Sequence, residues 1–270
     1  MKIFISLDME GISGLTYWKE SEEKIVKFMT DEVLAVLDGI KDFDKDSEIV
    51  LCDSHSHGRN LDIKRIYEDV RIISGYPREF YMISGVDESF DAGIFIGYHA
   101  PVGYLNSEMD HTYSSSTIFE VKINGILVGE AEINGAFLGE FDVPVVLISG
   151  DDKLKKFSLS FFPQTTFVIT KESLGRFSAK LYHPEYVHKI LREETKNSLK
   201  NIKSVKPLKF DKPINIEITF VNTLMAEFAS LIPNSKRLDG RRVCFESNSY
   251  KDIYNFLMAS LSLAYNAKNF

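Results

Sequence analysis

Cysteine is almost missing from this chain: Cys52 and Cys244 are the only two in 270 residues. Neither belongs to a C-x-x-C pair, so a disulfide framework is not expected and a reducing cytoplasm is the default compartment. Positive charge is also short. Lys and Arg number 32 against 39 Asp and Glu, for a net charge of −7 and a pI near 5.5. With no basic stripe interleaved with aromatics, nucleic acid is not an expected partner. Long apolar runs are missing too, which argues against a membrane span. The one apolar run at the N-terminus is short and leads straight into Asp8, unlike a signal peptide. Internal repeats and low-complexity tracts are absent. What remains is ordinary globular composition, 44% hydrophobic and 26% charged, in a length that suits one large domain or two modest ones.

Hydrophobic patterning predicts an α/β protein with a central, mostly parallel sheet flanked by helices and a smaller C-terminal α/β portion. Lys2 to Leu7 reads as a buried strand. A helical stripe follows over residues 19–43, with Ile25, Met29, Val33, Val36, Leu37 and Ile40 at three- and four-residue spacing. Glu48 to Cys52 is a second strand, which makes a β-α-β unit with a right-handed crossover. A weak helix is expected within 60–73, a short strand at 71–73 and a short helix opening at Pro77. Further strands are expected at 91–98, 116–123, 126–128, 143–148, 165–170, 214–221 and 242–246. Asn124-Gly125 signals a type I′ hairpin. Helices are expected at 131–138, from Lys153, at 184–199, at 223–231 and at 250–264. The Lys-rich stretch 201–213, with two prolines, reads as an exposed connector. Residues 1–200 would then form the metal-site portion and 201–270 the C-terminal portion, or a continuation of the same domain.

The chemistry collects at strand ends. Asp8 and Glu10 leave the first strand two residues apart, on one side of an extended chain. Like charges held that close repel unless a cation or a shared proton offsets them. His55 follows the second strand, His99 stands at the end of the 91–98 strand, and Glu130 opens a helix. In open α/β sheets ligands bind outside the carboxyl ends of the strands. Imidazole and carboxylate together suit zinc, and also manganese, cobalt or iron. Five such groups exceed the needs of one tetrahedral ion and would suit two, with Asp8 as the bridging carboxylate. The plainer reading is an acidic, solvated loop region in which each histidine is a hydrogen-bonding loop residue; His57, His183 and His188 are read that way. Asp53 is a partner for a ligand histidine or a loop cap, and Asp151 and Asp152 are ligands or turn residues.

Several ordered segments resemble the bacterial D-aminopeptidase family of zinc peptidases. They are D-M-E-G-I-S-G at Asp8–Gly14, D-S-H-S at Asp53–Ser56, G-Y-H-A at Gly97–Ala100, V-G-E…N-G-A at Val128–Ala136 and D-V-P-V…G-D-D at Asp142–Asp152. V-K-P-L at Val205–Leu208 and A-E-F-A-S-L-I-P at Ala226–Pro233 are similar more loosely. The resemblance implies two zinc ions per chain, with Asp8 bridging and Glu10, His55, His99 and Glu130 as the other ligands. It places His111 at the family's catalytic histidine, although Asp110 and the long 101–110 loop depart from the pattern of small residues around it. It further implies a ring-like homo-oligomer.

The expected function is therefore a metal-dependent aminopeptidase acting on short peptides, including those with N-terminal D-residues. A hydroxide between the metals would attack the carbonyl, and His111 would bind the oxyanion or pass a proton to the leaving amine. Two alternatives stand beside it. One is a dinuclear phosphoesterase or non-peptide amidase; the other is a non-enzymatic binding or assembly module.

Overall fold

The computed structural model describes residues 1–269. β1 (Lys2–Leu7), α1 (Glu22–Phe43) and β2 (Glu48–Asp53) form the β-α-β unit, with β1 and β2 parallel. α1 begins at Glu22 rather than Lys19 because the Ser21 hydroxyl accepts the Lys24 N–H and caps the helix there. β3 (Val70–Ile73) adds outside β2, while β4 (Ala92–Tyr98) pairs with the other side of β1. The stretch before β3 holds only a 3-10 turn at Ile63–Arg65 instead of a helix. Pro77 opens no helix either. A left-handed Phe80 (φ +55°) breaks the path, and the turn forms at Tyr81–Ile83.

β5 (Ile118–Ile123) and β6 (Ile126–Leu127) make the predicted hairpin, with Asn124 and Gly125 both at positive φ (+50° and +78°). α2 (Glu130–Glu140), β7 (Val145–Asp151) and α3 (Asp152–Ser158) follow. β8 (Thr166–Gly175) runs beyond the expected strand and turns back as β9 (Ser178–Leu181), a hairpin whose charged, half-exposed residues hid its pattern. α4 (Pro184–Lys200) packs on α1. The approach is close at Gly39, where a Cβ would stand 2.4 Å from the Arg192 carbonyl oxygen. β10 (Ile214–Phe220), α5 (Thr223–Ala229), β11 (Lys236–Arg237), β12 (Arg242–Ser247) and α6 (Tyr250–Asn266) complete the chain.

The main sheet has the order β3-β2-β1-β4-β7-β8-β9, parallel except for β9. β1 is therefore central, buried on both faces. Ile3, Ile5 and Leu7 pack toward α1 and α4, while Phe4 faces the second core under α2 and α6. Each such side chain contributes about 1.5–3 kcal/mol when fully buried. The second sheet, β11-β12-β10-β5-β6, is antiparallel. Its middle joins β10 from the C-terminal portion to β5 from the first, so a cut near residue 200 would part paired strands. Among the described residues no helix is long and apolar enough to cross a membrane.

Candidate metal centre

Successive strands step outward from β1 to β2 and β3, and the chain then returns to lay β4 on the other side. That reversal opens a crevice at the carboxyl ends of β1 and β4. Asp8 and Glu10 enter it from β1, His55 from β2 and His99 from β4. The β1 turn can sit there because two glycines remove the obstacles. A Cβ on Gly11 would lie 2.1 Å from the Tyr98 carbonyl oxygen, and Gly97 adopts φ +71° against the Asp8 carbonyl. Gly11 N–H donates to the Gly97 carbonyl at 2.7 Å and fastens the turn. Glu130 is the first residue of α2, where the helix dipole and free N–H groups favour a carboxylate.

The structure brings all six predicted residues together. Asp8 turns one oxygen to each side: Oδ1 lies 3.2 Å from His55 Nδ1 and Oδ2 lies 3.5 Å from His99 Nε2. Glu10 Oε2 is 3.3 Å from His55 Nδ1. Glu130 Oε1 is 3.4 Å from His99 Nε2 and 3.7 Å from His111 Nε2. The His99 and His111 rings stack at 4.2 Å, nearly parallel. Each donates its Nδ1–H to a backbone carbonyl, Ala100 and Met109 respectively, at 2.9 Å. Both Nε2 atoms are thereby left as lone-pair donors aimed inward. Asp8, Glu10, His55, His111 and Glu130, with Trp18, Ser54, Tyr81 and Tyr113, wall an open cavity of about 360 Å³, while His99 is buried against the His111 ring.

The donor set fits a cation. Asp8 Oδ2, Glu10 Oε2 and His99 Nε2 are buried without a hydrogen-bond partner, although burying an unpaired charge is costly. Burial and the neighbouring Glu10 carboxylate push Asp8 up to about 7. Burial, the largest single influence, would do the same to Glu10, but the charge and hydrogen bond of His55 together with His111 and His99 hold Glu10 well below the usual range. Burial opposes a charge on His55 and His99, yet the carboxylates Glu10 and Glu130 raise both. His111 goes the other way: burial and the adjacent His99 lower it, so it rests as neutral imidazole. Burial, the largest single influence on Glu130, would raise it, but His99, His111 and the Tyr113 N–H together hold it below the usual range. Without a cation, the proteins' own protons must partly neutralise three crowded carboxylates. The ligand-capable atoms of Asp8, Glu10 and His99, and those of His99, His111 and Glu130, lie within 4.8 Å of one another in each group.

Other candidates are elsewhere. Asp151 caps α3, accepting the Leu154 N–H at 2.8 Å, and Asp152 accepts the Ser173 N–H at 2.7 Å. Asp53 accepts both the backbone N–H and the side-chain amide of Asn60, which in turn donates to the His55 carbonyl, so it shapes the loop carrying His55. Asp110 is spent on the Gly103 N–H and on Arg176, at 2.7 and 3.0 Å, and does not line the cavity. His183 caps α4, His188 rides on that helix, and His57 sits outside the cavity.

Three residues at the site escaped the sequence reading. Trp18 donates its indole N–H to Glu10 Oε1 at 2.6 Å and meets the His111 ring edge-on at 5.6 Å. Tyr113 donates its backbone N–H to Glu130 Oε1 at 2.6 Å. Lys171 is wholly buried; its Nζ donates to the carbonyls of Glu10, at 2.7 Å, and Leu15. The one available signal was Trp18 itself, the single tryptophan of the chain, in a polar stretch.

The family model described as D-aminopeptidase matches residues 1–259. The D-aminopeptidase of Bacillus subtilis (strain 168) is 32% identical over 276 residues, covering 98% of each chain. A solved structure from Bacillus subtilis, described as the Zn-dependent D-aminopeptidase DppA, a self-compartmentalizing protease, superposes with a TM-score of 0.93 at 30% identity, again over 98% of both chains. A strand-end cluster of carboxylates and histidines, set in this sheet and matched from one end of the chain almost to the other, makes this protein a member of the D-aminopeptidase family.

Proposed function

We propose that this chain is a metal-dependent aminopeptidase that hydrolyses short peptides, N-terminal D-residues included, with two zinc ions held by Asp8, Glu10, His55, His99 and Glu130. The observation that carries the reading is that Asp8 Oδ2, Glu10 Oε2 and His99 Nε2 are buried and unpartnered at a site where Asp8, Glu10, His55, His111 and Glu130 line one solvent-open cavity. Asp8 faces His55 with one oxygen and His99 with the other, which supports it as the shared carboxylate. Glu10 lies on the His55 side and Glu130 on the His99 side. Bound zinc would supply Lewis-acid charge that polarises a carbonyl and acidifies water.

The protein's own groups do the rest. Trp18 occupies Glu10 Oε1 and so leaves Oε2 to face the cavity. The Tyr113 N–H steadies Glu130 through Oε1, the oxygen that also faces His99 and His111. His111 is neutral, its Nδ1–H is committed to Met109, and its Nε2 is basic and faces the cavity. It is therefore placed to take up a proton and deliver it to the leaving amine. Two further readings belong to the proposal. A ring-like homo-oligomer is supported by the description of the similar Bacillus structure as self-compartmentalizing. A reducing compartment, the cytoplasm, is supported by two buried, unpaired thiols.

Protein purified without chelator and assayed for metal should carry close to two divalent ions per chain. It should cleave D-alanyl peptides faster than L-peptide amides or nitrophenyl phosphate. A content well under one ion per chain sinks the dinuclear site. Hydrolysis of the phosphate ester alone assigns the site to phosphoester chemistry instead.

A further inference from the structure

A second cavity, of about 560 Å³, opens beside the metal centre. The two share the walls Ser56, Tyr81, Tyr113 and Ser114. None of the six metal-site residues reaches the second one. Its floor is one face of α6, where Met258, Leu261, Ser262 and Tyr265 recur at three- and four-residue spacing. Tyr76 and Pro77 form the opposite bank. Tyr76 meets the Tyr81 ring edge-on at 5.7 Å. The lining is largely apolar and aromatic, which is the make-up of a side-chain pocket.

The partition between the two chambers is held firmly. The Tyr81 hydroxyl donates to the Ser56 carbonyl at 2.9 Å, and the Tyr113 hydroxyl donates to Asn134 Oδ1 at 2.7 Å. Ser56, Tyr81 and Tyr113 all have left-handed backbones, with φ of +53°, +36° and +58°. Such conformations are costly for residues other than glycine and persist where the surroundings enforce them. Among the described residues lining the second chamber, the one full cation is already engaged. Arg78 donates to the carbonyls of Gly75 and Tyr81, at 2.6 and 2.8 Å, and to that of Asp53. A charged guest would find little there to pair with, whereas an apolar one would bury surface.

We infer that this chamber is the pocket for the side chain of the second residue of the peptide substrate, and that it selects apolar and aromatic side chains. The inference rests on the aminopeptidase reading. An aminopeptidase has one residue before the scissile bond and all the rest of the substrate after it. The smaller chamber is lined by Asp8, Glu10, His55, Glu130 and His111, and takes the first residue with its amine. The larger chamber, on the far side of Tyr81 and Tyr113, receives what leaves.

The test uses the zinc-loaded protein and D-alanyl dipeptides whose second residue is glycine, leucine, phenylalanine, aspartate or lysine. The kcat/KM for leucine and phenylalanine should exceed that for glycine by about tenfold or more. Aspartate and lysine should not exceed glycine. Tyr265 is 63% exposed, so Tyr265→Ser should fold normally; it should bring the phenylalanine-to-glycine ratio down severalfold. Leu261→Asn should act in the same direction, with its thermal midpoint measured alongside. Equal kcat/KM for glycine and phenylalanine, or a ratio unmoved by both variants, overturns the pocket while leaving an aminopeptidase. Failure to cleave any of the dipeptides overturns the aminopeptidase reading and the pocket with it.

Discussion

Trp18 fixes one oxygen of Glu10 with its indole N–H and walls the cavity with its ring. Hydrogen-bond partners of metal-site groups typically change metal affinity by 10–100-fold. Trp18→Phe keeps the ring and loses the donor, so zinc should bind roughly tenfold or more weakly in competition with a chromophoric chelator. Unchanged affinity would show that Glu10 needs no such restraint. His111 belongs to a different class of effect. His111→Ala should keep its zinc but lose about 10²–10⁴ in kcat, as expected for a positioned proton carrier. A variant with the parental rate would remove His111 from the mechanism. Asp8, Glu10, His55, His99 and Glu130 were legible because each stands at the end of a recognisable strand or at a helix start, whereas His111 lies in a loop and was picked out only by the family resemblance. Trp18 and Lys171 were not legible. Trp18 precedes α1 in a loop without periodicity, and Lys171 is a lysine in the middle of β8, a residue type that is almost never wholly buried without a partner.

At the level of elements, Lys171 ties three pieces of chain together. From β8 it reaches the carbonyls of Glu10 and Leu15 on the β1 turn, and it pairs with Glu108 Oε2 at 2.7 Å on the loop that leads to His111. Removing one partner of a buried ion pair costs about 3–5 kcal/mol, largely because the other charge is stranded. Lys171→Met should therefore lower stability in urea by about that amount, and adding Glu108→Met should recover part of it. An additive double variant would show that the two do not interact. α1 offers a second case. Glu32, buried on that helix, accepts the Ser13 N–H at 2.6 Å, and burial pushes its carboxyl up from 4.5 to about 7. The folded protein therefore holds this proton more tightly than the unfolded chain does. The group's favourable contribution is complete below pH 4.5 and is lost as pH rises through about 7. Glu32→Gln should then gain on the parent by a few kcal/mol at pH 8 relative to pH 5, read from thermal midpoints at the two values; a gap that does not change with pH would contradict the shift. The helices and parallel strands were visible in advance through apolar periodicity, although the Ser21 cap that starts α1 at Glu22 was not read. The β8–β9 hairpin was hidden because it projects with charged residues on both strands, so alternation carries no signal.

For the whole molecule, the two-sheet plan was the least legible feature. β5 and β10 each alternate well enough to be read as strands, but nothing local says that they pair across the intervening sequence. Long-range pairing is decided by which apolar faces remain to be covered once the main sheet has formed. Here α2, α6 and the second sheet close over Phe4, Phe95 and Ile148. Assembly beyond the single chain has one direct check. Light scattering of the zinc-loaded protein should give a mass of many chains, in keeping with the ring-like homo-oligomer proposed above. A mass near 30.8 kDa, that of one chain, would count against it.

The β5–β10 pairing also sets an order of events during synthesis. A ribosome adds about 5–20 residues per second. The roughly 90 residues from the end of β5 to the start of β10 therefore keep β5 waiting for about 5–20 s, with Ile118, Val121 and Ile123 uncovered. By then Asp8, Glu10, His55, His99, His111 and Glu130 have all been made. The nascent chain thus has its metal-site residues in hand while its second core still lacks a lid, and this interval is where a chaperone would find an apolar strand to hold.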